Sequence, residues 1–333
     1  MRDVARRSGV SIATVSRVFN GGVVGTETRA SVEQVARTLR YVPNRAARSL
    51  NTARTHTIGV VLPDLYGAFY SELLRGLDAA ATGAGYHLLV TGSHAGIDEL
   101  AASLQSMSGR VDGLVVMSPD ADAGVLEANL PAQIPVVLFG APEPGVASCG
   151  IDDAVGAAAM VRHLVGLGHR RIAHLAGPDG NRDAAERLRG YRDAMDAAGL
   201  PTDGLVLAGD FTEAAGHRAG EALAAAARSG SLLPDALFAG NDAMAIGAIS
   251  ALRAAGLHVP QDVAVAGFDD VPFAQYLQPA LTSVHVPTVE MSRMAIAALL
   301  RDGGPRPEAS TLPTQLVVRE SCGAGVPVPG RTA

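Results

Sequence analysis

A short polar segment near the start of the chain carries side chains with an evident chemical use. Thr14, Ser16, Arg17 and Asn20 are spaced so that they can lie on the exposed side of one short helix. A guanidinium presents forked donors that suit the edge of a guanine or a phosphate, and hydroxyl and amide groups bind phosphate oxygens. The segment therefore predicts a surface that contacts a polyanion.

Paired carboxylates form a second group of candidate residues. Asp152–Asp153 and Asp269–Asp270 each follow a predicted strand, but adjacent side chains point apart. We expect them to cap helices or bind a ligand rather than act as an acid and base pair. The chain also lacks the glycine-rich phosphate loops, the GxSxG motif and the HExxH motif of common enzymes. The sequence therefore predicts neither catalysis nor a cofactor.

Histidines and cysteines give no sign of a metal site. His163, His169 and His174 lack close ligand spacing, so structural roles are expected for them. Cys149 and Cys322 lie far apart and form no CxxC pair. We expect no bound metal and no disulfide framework.

Charge is distributed unevenly along the chain, whose net charge is −6. Residues 1–56 contain ten arginines against three acidic residues, a net charge of +7, and the remainder carries −13. A basic head on an acidic body favours a module for nucleic acid joined to a body with another task. A solvated basic face is the alternative that charge alone leaves open.

Length and composition bound the architecture. The chain has 333 residues, 48% of them apolar, which is enough for about two domains with sizeable cores. No apolar run reaches the roughly 18 residues of a membrane helix, and the start MRDVARRSG lacks a signal-peptide core. We expect a cytoplasmic protein without membrane contact.

The basic head has the pattern of a helix-turn-helix domain. A first short helix ends at Gly9, a second is expected over 12–19 with Ser11 as its cap, and a third over about 26–39. Pro43 prevents the third helix from continuing. In such a domain the exposed side of the second helix enters the major groove of DNA.

The acidic body alternates apolar runs with alanine-rich helical segments. Seven segments are predicted strands: 57–64, 86–93, 112–119, 134–140, 170–177, 235–241 and 262–269. Nearly continuous apolar strands between helices indicate parallel sheets that are covered on both faces. The number of strands predicts two doubly wound lobes, with a ligand at the carboxyl ends of the strands between them.

The exact amino-acid sequence of the basic head is more specific than its pattern of helices and turns. The segments DVARRSGVSIATVSRVFNG and YVPNRAARSL closely resemble the lac repressor family of bacterial transcription regulators. The resemblance implies that Arg17 reads a guanine, while Thr14, Ser16 and Asn20 hold phosphates. It also implies that the apolar pair Ile12–Ala13 occupies the two positions that vary with the operator sequence.

The resemblance divides the chain into a DNA-binding domain at 1–43, a hinge at 44–56 and a ligand-binding and dimerisation core at 57–333. In the hinge segment NRAARSL, Asn44 belongs to the DNA contact, and the small Ala47 lets two hinge helices pack closely. Leu50 matches the leucine that wedges between base pairs and kinks the DNA. A flexible linker with an ordinary leucine is the alternative.

The body resembles the same family, whose core is similar to periplasmic sugar-binding proteins. Segments that carry the likeness include HLVGLGHRRIAHLAGP, AERLRGYRDAM, FAGNDAMAIGA and VAVAGFDD. The implied first lobe spans about 57–152 with 286–313, and the second about 153–285 with 314–325. The implied effector-binding residues are Phe69, Tyr70, Arg187, Asn241 and Asp269.

Several positions depart from the family pattern. Gly140 replaces a polar residue, Val286 replaces a common glutamine, and Gly67-Ala68 replaces Asn-Pro. These changes remove hydrogen-bonding side chains from the implied pocket and add room. Gly25 stands where a serine usually caps the third helix.

The function implied is that of a repressor that binds a pseudo-palindromic operator as a homodimer and responds to a small molecule, a sugar or a derivative. The protein would then act in the cytoplasm, associated with the nucleoid. Two alternatives remain open at this point. One is a solute-binding receptor that does not bind DNA, and the other is an α/β enzyme that modifies sugars.

Overall fold

The computed structural model describes residues 1–19, 22–41, 54–93, 97–121, 123–140, 145–301 and 309–324. Four predicted DNA-contacting residues lie outside these ranges: Asn20, Asn44, Ala47 and Leu50. The chain forms two compact units, Met1–His56 and Thr57–Ala333.

The first unit contains three helices, as the sequence predicts. They are α1 (Arg2–Ser8), α2 (Ile12–Phe19) and α3 (Thr26–Thr38). Helix α1 ends at Gly9, whose φ of 67° is the left-handed conformation that glycine adopts at little cost. The small core consists of Val4, Ala5, Val15, Val18, Val32 and Ala36.

The second unit alternates strands and helices. Its strands are β1 (Thr57–Leu62), β2 (His87–Gly92), β3 (Gly113–Met117), β4 (Val136–Phe139), β5 (Ala147–Ile151), β6 (Ile172–Leu175), β7 (Val206–Leu207), β8 (Ala236–Ala239), β9 (Ala264–Ala266), β10 (Ser283–His285), β11 (Ala309–Leu312) and β12 (Gln315–Val317). Its helices are α4 (Ala68–Gly83), α5 (Ile97–Met107), α6 (Ala123–Asn129), α7 (Asp153–Gly166), α8 (Arg182–Ala197), α9 (Glu213–Arg228), α10 (Asp242–Ala254) and α11 (Thr288–Leu299), with a 3₁₀ helix at Pro272–Tyr276.

Among the described residues, the strands form two parallel sheets and one antiparallel pair. The six-stranded sheet of the first lobe has the order β11-β5-β4-β3-β1-β2, and the four-stranded sheet of the second lobe has the order β7-β6-β8-β9. Strands β10 and β12 pair in antiparallel fashion. The predicted fold of two doubly wound lobes is therefore confirmed.

Both faces of the large sheet are covered, which explains its apolar strands. In β1, Val60 packs in one cluster with Leu73 of α4, whereas the next residue, Val61, packs in another with Leu100 and Leu104 of α5. Successive side chains of a strand point to opposite faces, so a strand between two helical layers must be apolar throughout.

The chain passes between the lobes three times. It leaves the large sheet after β5 and enters α7, which packs on α8 and β8 of the second lobe. It returns between β10 and α11, which packs on α4, and passes again between β11 and β12. Three separate segments of the chain therefore connect the two lobes.

Candidate functional site

The exposed side of α2 carries the residues predicted to contact DNA. Ile12 is 47% exposed, and Ala13 and Arg17 are exposed as well. Thr14 and Ser16 are partly buried. The residues at the start of the helix and the arginine one turn later therefore share a surface that a partner can reach.

Helix α2 is fixed at both ends by neighbouring side chains. The Ser11 hydroxyl accepts the backbone N–H of Thr14 at 3.0 Å, which is the predicted N-cap. At the other end, Arg29 of α3 donates to the carbonyls of Val18 at 3.0 Å and Gly22 at 2.8 Å. Arg29 was not among the predicted site residues. Its role in the site is to position α2 rather than to contact DNA.

A cavity of about 250 Å³ opens between the two lobes of the second unit. It lies beside the carboxyl ends of the strands, where doubly wound sheets bind ligands. The structure brings the five predicted effector-binding residues together on its wall: Phe69, Tyr70, Arg187, Asn241 and Asp269.

The aromatic pair belongs to the first turn of α4. Phe69 and Tyr70 meet edge to face, with ring centroids 5.4 Å apart. Phe69 also packs against the cores of both lobes. Gly67 precedes the helix with a φ of 105°, a conformation that a residue with a side chain rarely adopts, which accounts for glycine at this departure from the family pattern.

Asn241 holds the local backbone with both of its polar atoms. Its side-chain oxygen accepts the N–H of Met244 at 2.9 Å and caps α10. Its amide nitrogen donates to the carbonyl of Phe211 at 2.9 Å, which places the Phe211 ring at the cavity wall. Asn241 is therefore a positioning residue as well as a lining one.

Arg187 is the centre of the second-lobe wall and is only 6% exposed. Its Nε donates to Asp153 at 2.8 Å, and its Nη1 donates to the carbonyl of Gly240 at 2.7 Å and lies 3.4 Å from Asp269. The guanidinium also stacks 3.9 Å above the ring of Phe268. Burial lowers the pKa of Arg187, but Asp153, Asp269 and Asp183 together raise it above its ordinary value, so the group stays charged.

Close packing of two helices makes the contact between Arg187 and Asp153 possible. At Gly190 in α8, a β-carbon would lie 2.2 Å from the carbonyl oxygen of Ala154 in α7. Such a distance is far below van der Waals contact, so only glycine lets the helices approach this closely. The approach brings the start of α7, with Asp153, under the guanidinium of α8.

The loop that carries Asp269 is held by a buried carboxylate. Asp269 has a φ of 110°, which is unfavourable for a residue with a side chain. Asp242, at the start of α10, accepts the N–H of Val271 at 2.8 Å and the hydroxyl of Ser283 at 2.6 Å. These bonds tie the loop to α10 and to β10, and thereby keep the Asp269 carboxylate at the cavity.

Two further departures from the family pattern lie near the same wall. Gly140 has a φ of 112°, so its backbone favours glycine there. Val286 is buried in the core of the unit. Neither residue offers a polar side chain.

Sequence reasoning missed most of the carboxylates around the cavity. Five line it besides Asp269: Asp64, Asp120, Asp183, Asp210 and Glu213. Two of them lie at strand ends: Asp64 is the last residue of a predicted strand segment, and Asp120 directly follows another. A search for acidic residues at strand ends would have found those two, whereas Asp183 sits in the first turn of α8.

Burial and mutual repulsion shift the acidity of this cluster. Burial raises the pKa of Asp269 from 3.8 to about 7, with Arg187 opposing the shift and Asp153 and Asp183 adding to it. Burial also raises the pKa of Asp183 from 3.8 to about 6, and Asp153 raises it further. The folded chain therefore keeps protons here that an unfolded chain would release.

We expect the free energy of unfolding to fall as the pH rises from about 4 to about 7, because the unfolded carboxylates ionise first and favour unfolding. Urea titrations across that range measure the slope. Asp269→Asn should reduce it, whereas Asp179→Asn, which changes an exposed carboxylate outside the cavity, should leave it unchanged. An unaltered slope in Asp269→Asn would contradict the assignment.

Two general features of the described residues bear on function. Among them, no group of three or more histidine, cysteine, aspartate or glutamate side chains is arranged to hold a metal ion. Within the same residues, every helix is too short or too polar to cross a membrane.

Comparison with known proteins gives consistent matches along the chain. Residues 1–44 match the family described as bacterial regulatory proteins, lacI family, and residues 161–322 match the periplasmic binding protein-like domain. The ribose operon repressor of Escherichia coli (strain K12) is 38% identical over 90% of this chain and 92% of its own length. The HTH-type transcriptional regulator CelR of Thermobifida fusca is 38% identical over 96% of both chains.

Solved structures show the same likeness. The lac repressor dimer bound to operator and the anti-inducer ONPF is similar with a TM-score of 0.84 and 28% identity, covering 96% of this chain and 98% of that one. A complex of the regulator CelR with cellobiose has a TM-score of 0.69 and 35% identity, with the same coverage of both chains.

Proposed function

This chain is a transcriptional regulator of the lacI family of bacterial regulatory proteins, and from that premise we propose that it represses transcription as a dimer on a pseudo-palindromic operator. A small molecule in the cavity between the lobes controls the binding. The relatives are regulators rather than enzymes. We propose that this chain likewise catalyses no reaction and acts in the cytoplasm.

We assign a different part of this function to each segment of the chain. Residues 1–43 bind DNA, residues 44–56 form the hinge, and residues 57–333 bind the effector and the second copy. In this proposal Arg17 contacts a base, and Ile12 and Ala13 lie beside the base pairs that vary between operators. The phosphates of the DNA are bound by Thr14, Ser16 and Asn20. The hinge residues Asn44, Ala47 and Leu50 belong to the contact with the minor groove.

The observation that carries the effector site is the meeting of residues from both lobes on one cavity. Phe69 and Tyr70 come from the first lobe, whereas Arg187 and Asp269 come from the second. A ligand that touches both walls binds one arrangement of the lobes more tightly than another. It therefore shifts the population between arrangements, and with it the spacing of the two DNA-binding domains in a dimer.

An exposed apolar surface supports the dimer. Phe273 is 66% exposed and Tyr276 is 75% exposed, both on the 3₁₀ helix of the second lobe. Large aromatic side chains at a surface are typical of interfaces between chains. A dimer also fits a pseudo-palindromic operator, because each half-site then meets one copy.

A gel-shift assay on the DNA upstream of the protein's own gene, with and without candidate sugars and related compounds, tests the proposal. A retarded complex that a small molecule weakens or strengthens supports it. Failure to bind any upstream fragment, with retained small-molecule binding, would favour a solute receptor instead.

We expect Arg17→Ala to weaken binding to the operator by about 1–3 kcal/mol, while binding to random DNA falls much less, because a base contact is lost. Fluorescence anisotropy with the two DNAs measures the difference. Arg37→Ala, which removes the same charge from an exposed position of α3, is the control and should affect both DNAs alike. Equal losses in Arg17→Ala would refute a base-reading role.

A further inference from the structure

The cavity wall has more acidic than basic side chains. Its carboxylates are those of Asp64, Asp120, Asp183, Asp210, Glu213 and Asp269, and its one described cationic side chain is Arg187. The chemistry of the effector must match this imbalance, because charges removed from water need partners.

The single guanidinium is already neutralised by the protein. Arg187 pairs with Asp153, which lies behind the wall, and two of its three nitrogens are bonded to Asp153, Gly240 and Asp269. Among the six wall carboxylates, Asp210 has an arginine partner of its own, Arg218 at 3.1 Å. Little positive charge is therefore left to attract a phosphate or a carboxylate on a ligand.

The phenol of Tyr70 lines the same cavity as the six carboxylates. Burial raises the pKa of Tyr70, and the charges of Asp269, Asp64, Asp183 and Asp120 raise it further. The carboxylate of Asp183 receives no hydrogen bond from any described residue. It stands at the wall as an acceptor without a donor.

Aromatic faces complete the surroundings of that acceptor. Phe69, Tyr70 and Phe211 line the same cavity. The face of an aromatic ring attracts a cation, and carboxylates beside it neutralise the charge and accept its N–H groups. An anionic group here would meet repulsion and lose its water shell without compensation.

We propose that the effector carries an ammonium group, as an amino sugar or a polyhydroxylated cyclic amine does, and that this group lies beside Tyr70 within reach of Asp183 and Asp269. The inference rests on the proposed effector site, since it assigns a ligand class to that cavity. Aromatic faces and hydroxyl-binding carboxylates hold the remainder of the ligand.

Matched probes that differ in charge test the proposal. Each of two neutral compounds, glucose and galactose, is compared with its 2-amino form and its 6-phosphate, and 1-deoxynojirimycin is compared with neutral 1,5-anhydroglucitol. Calorimetric titration of the full-length protein measures affinity. We expect the ammonium member of at least one set to bind about tenfold more tightly or better than its neutral partner, and the phosphates not to bind.

Substitutions at the cavity wall test whether the preference for the ammonium probe arises in the cavity. Asp183→Asn should lower the ratio between the affinity for the ammonium probe and the affinity for its neutral partner, because the variant removes the negative charge from that part of the wall. Asp179→Asn, an exposed change four residues earlier, is the control and should preserve the preference. Asp120→Asn supplies a second cavity variant, and the melting temperature of each variant verifies folding.

Tighter binding of a neutral or phosphorylated member in every set overturns the proposal, and so does the absence of binding by all ammonium probes. An unchanged preference in both folded cavity variants overturns it as well. Operator binding is measured in parallel on the same preparations. Loss of operator binding counts against the proposed function, whereas intact operator binding with a preference for a neutral sugar counts against the ammonium group alone.

Discussion

Replacing Arg187 by alanine is expected to lower the free energy of unfolding by about 3–5 kcal/mol, because the change leaves buried carboxylates without their cation. Asp153 lies 2.8 Å from the Arg187 Nε, and Asp269 lies 3.4 Å from its Nη1. The Gly240 carbonyl also loses its donor, and the Phe268 ring loses the guanidinium stacked on it. Urea unfolding at neutral pH measures the loss.

The matched control is Arg189→Ala, two residues along the same helix. The Arg189 guanidinium is paired with Glu186 on the exposed side of α8, where water screens the charges. We expect little change in stability from this variant. Arg187→Ala should also abolish the effector response while a folded sample still binds operator DNA, and similar unfolding curves for the two variants would refute the buried network.

The second large effect is expected for Asp242→Ala. Burial, together with Asp269, raises the pKa of this carboxyl, and the group accepts two hydrogen bonds in a fully buried place. Its removal leaves the Val271 N–H and the Ser283 hydroxyl without an acceptor, at a cost of about 1–3 kcal/mol each. We therefore expect a loss of about 2–6 kcal/mol in the free energy of unfolding, measured by urea titration.

Effector affinity should fall in the same variant, because the loop with Asp269 loses its tie to α10. Asp262→Ala is the control, since that carboxylate accepts an N–H from His258 at a partly exposed site. Its effect on both stability and affinity should be small. If Asp242→Ala keeps full effector affinity at a temperature where it is folded, Asp242 does not position Asp269.

The sequence predicts the strands that contain a run of large apolar side chains, and it misses strands that are short or built from small or polar side chains. All seven predicted segments contain a strand, because runs such as that around Val60 are apolar throughout. Strand β7 has two residues, β5 is built from small side chains, and β11 alternates exposed and partly buried positions. Backbone hydrogen bonds to neighbours, rather than apolar patterning, place these strands in their sheets.

The lining residues of the cavity were predictable only in part. Arg187 and Asp269 lie in segments whose amino-acid sequence resembles a known family, so the resemblance assigned both residues to the effector site. The pairing of Arg187 with Asp153 could not, because it depends on how closely α7 approaches α8. The carboxylate of Asp183 was missed for a different reason. An acidic residue in the first turn of a helix is usually explained by its favourable interaction with the helix dipole, so it does not suggest a ligand contact.

The tight contact at Gly190 has a consequence for anyone who redesigns this regulator. Because no β-carbon fits against Ala154, α7 and α8 pack closely, and a new side chain at position 187 would have to match the Asp153 carboxylate beside it. Phe69 and Tyr70 approach the cavity from the first turn of another helix, α4, in the other lobe. Libraries that seek a new effector should vary the α4 positions first and keep the contact between α7 and α8 intact.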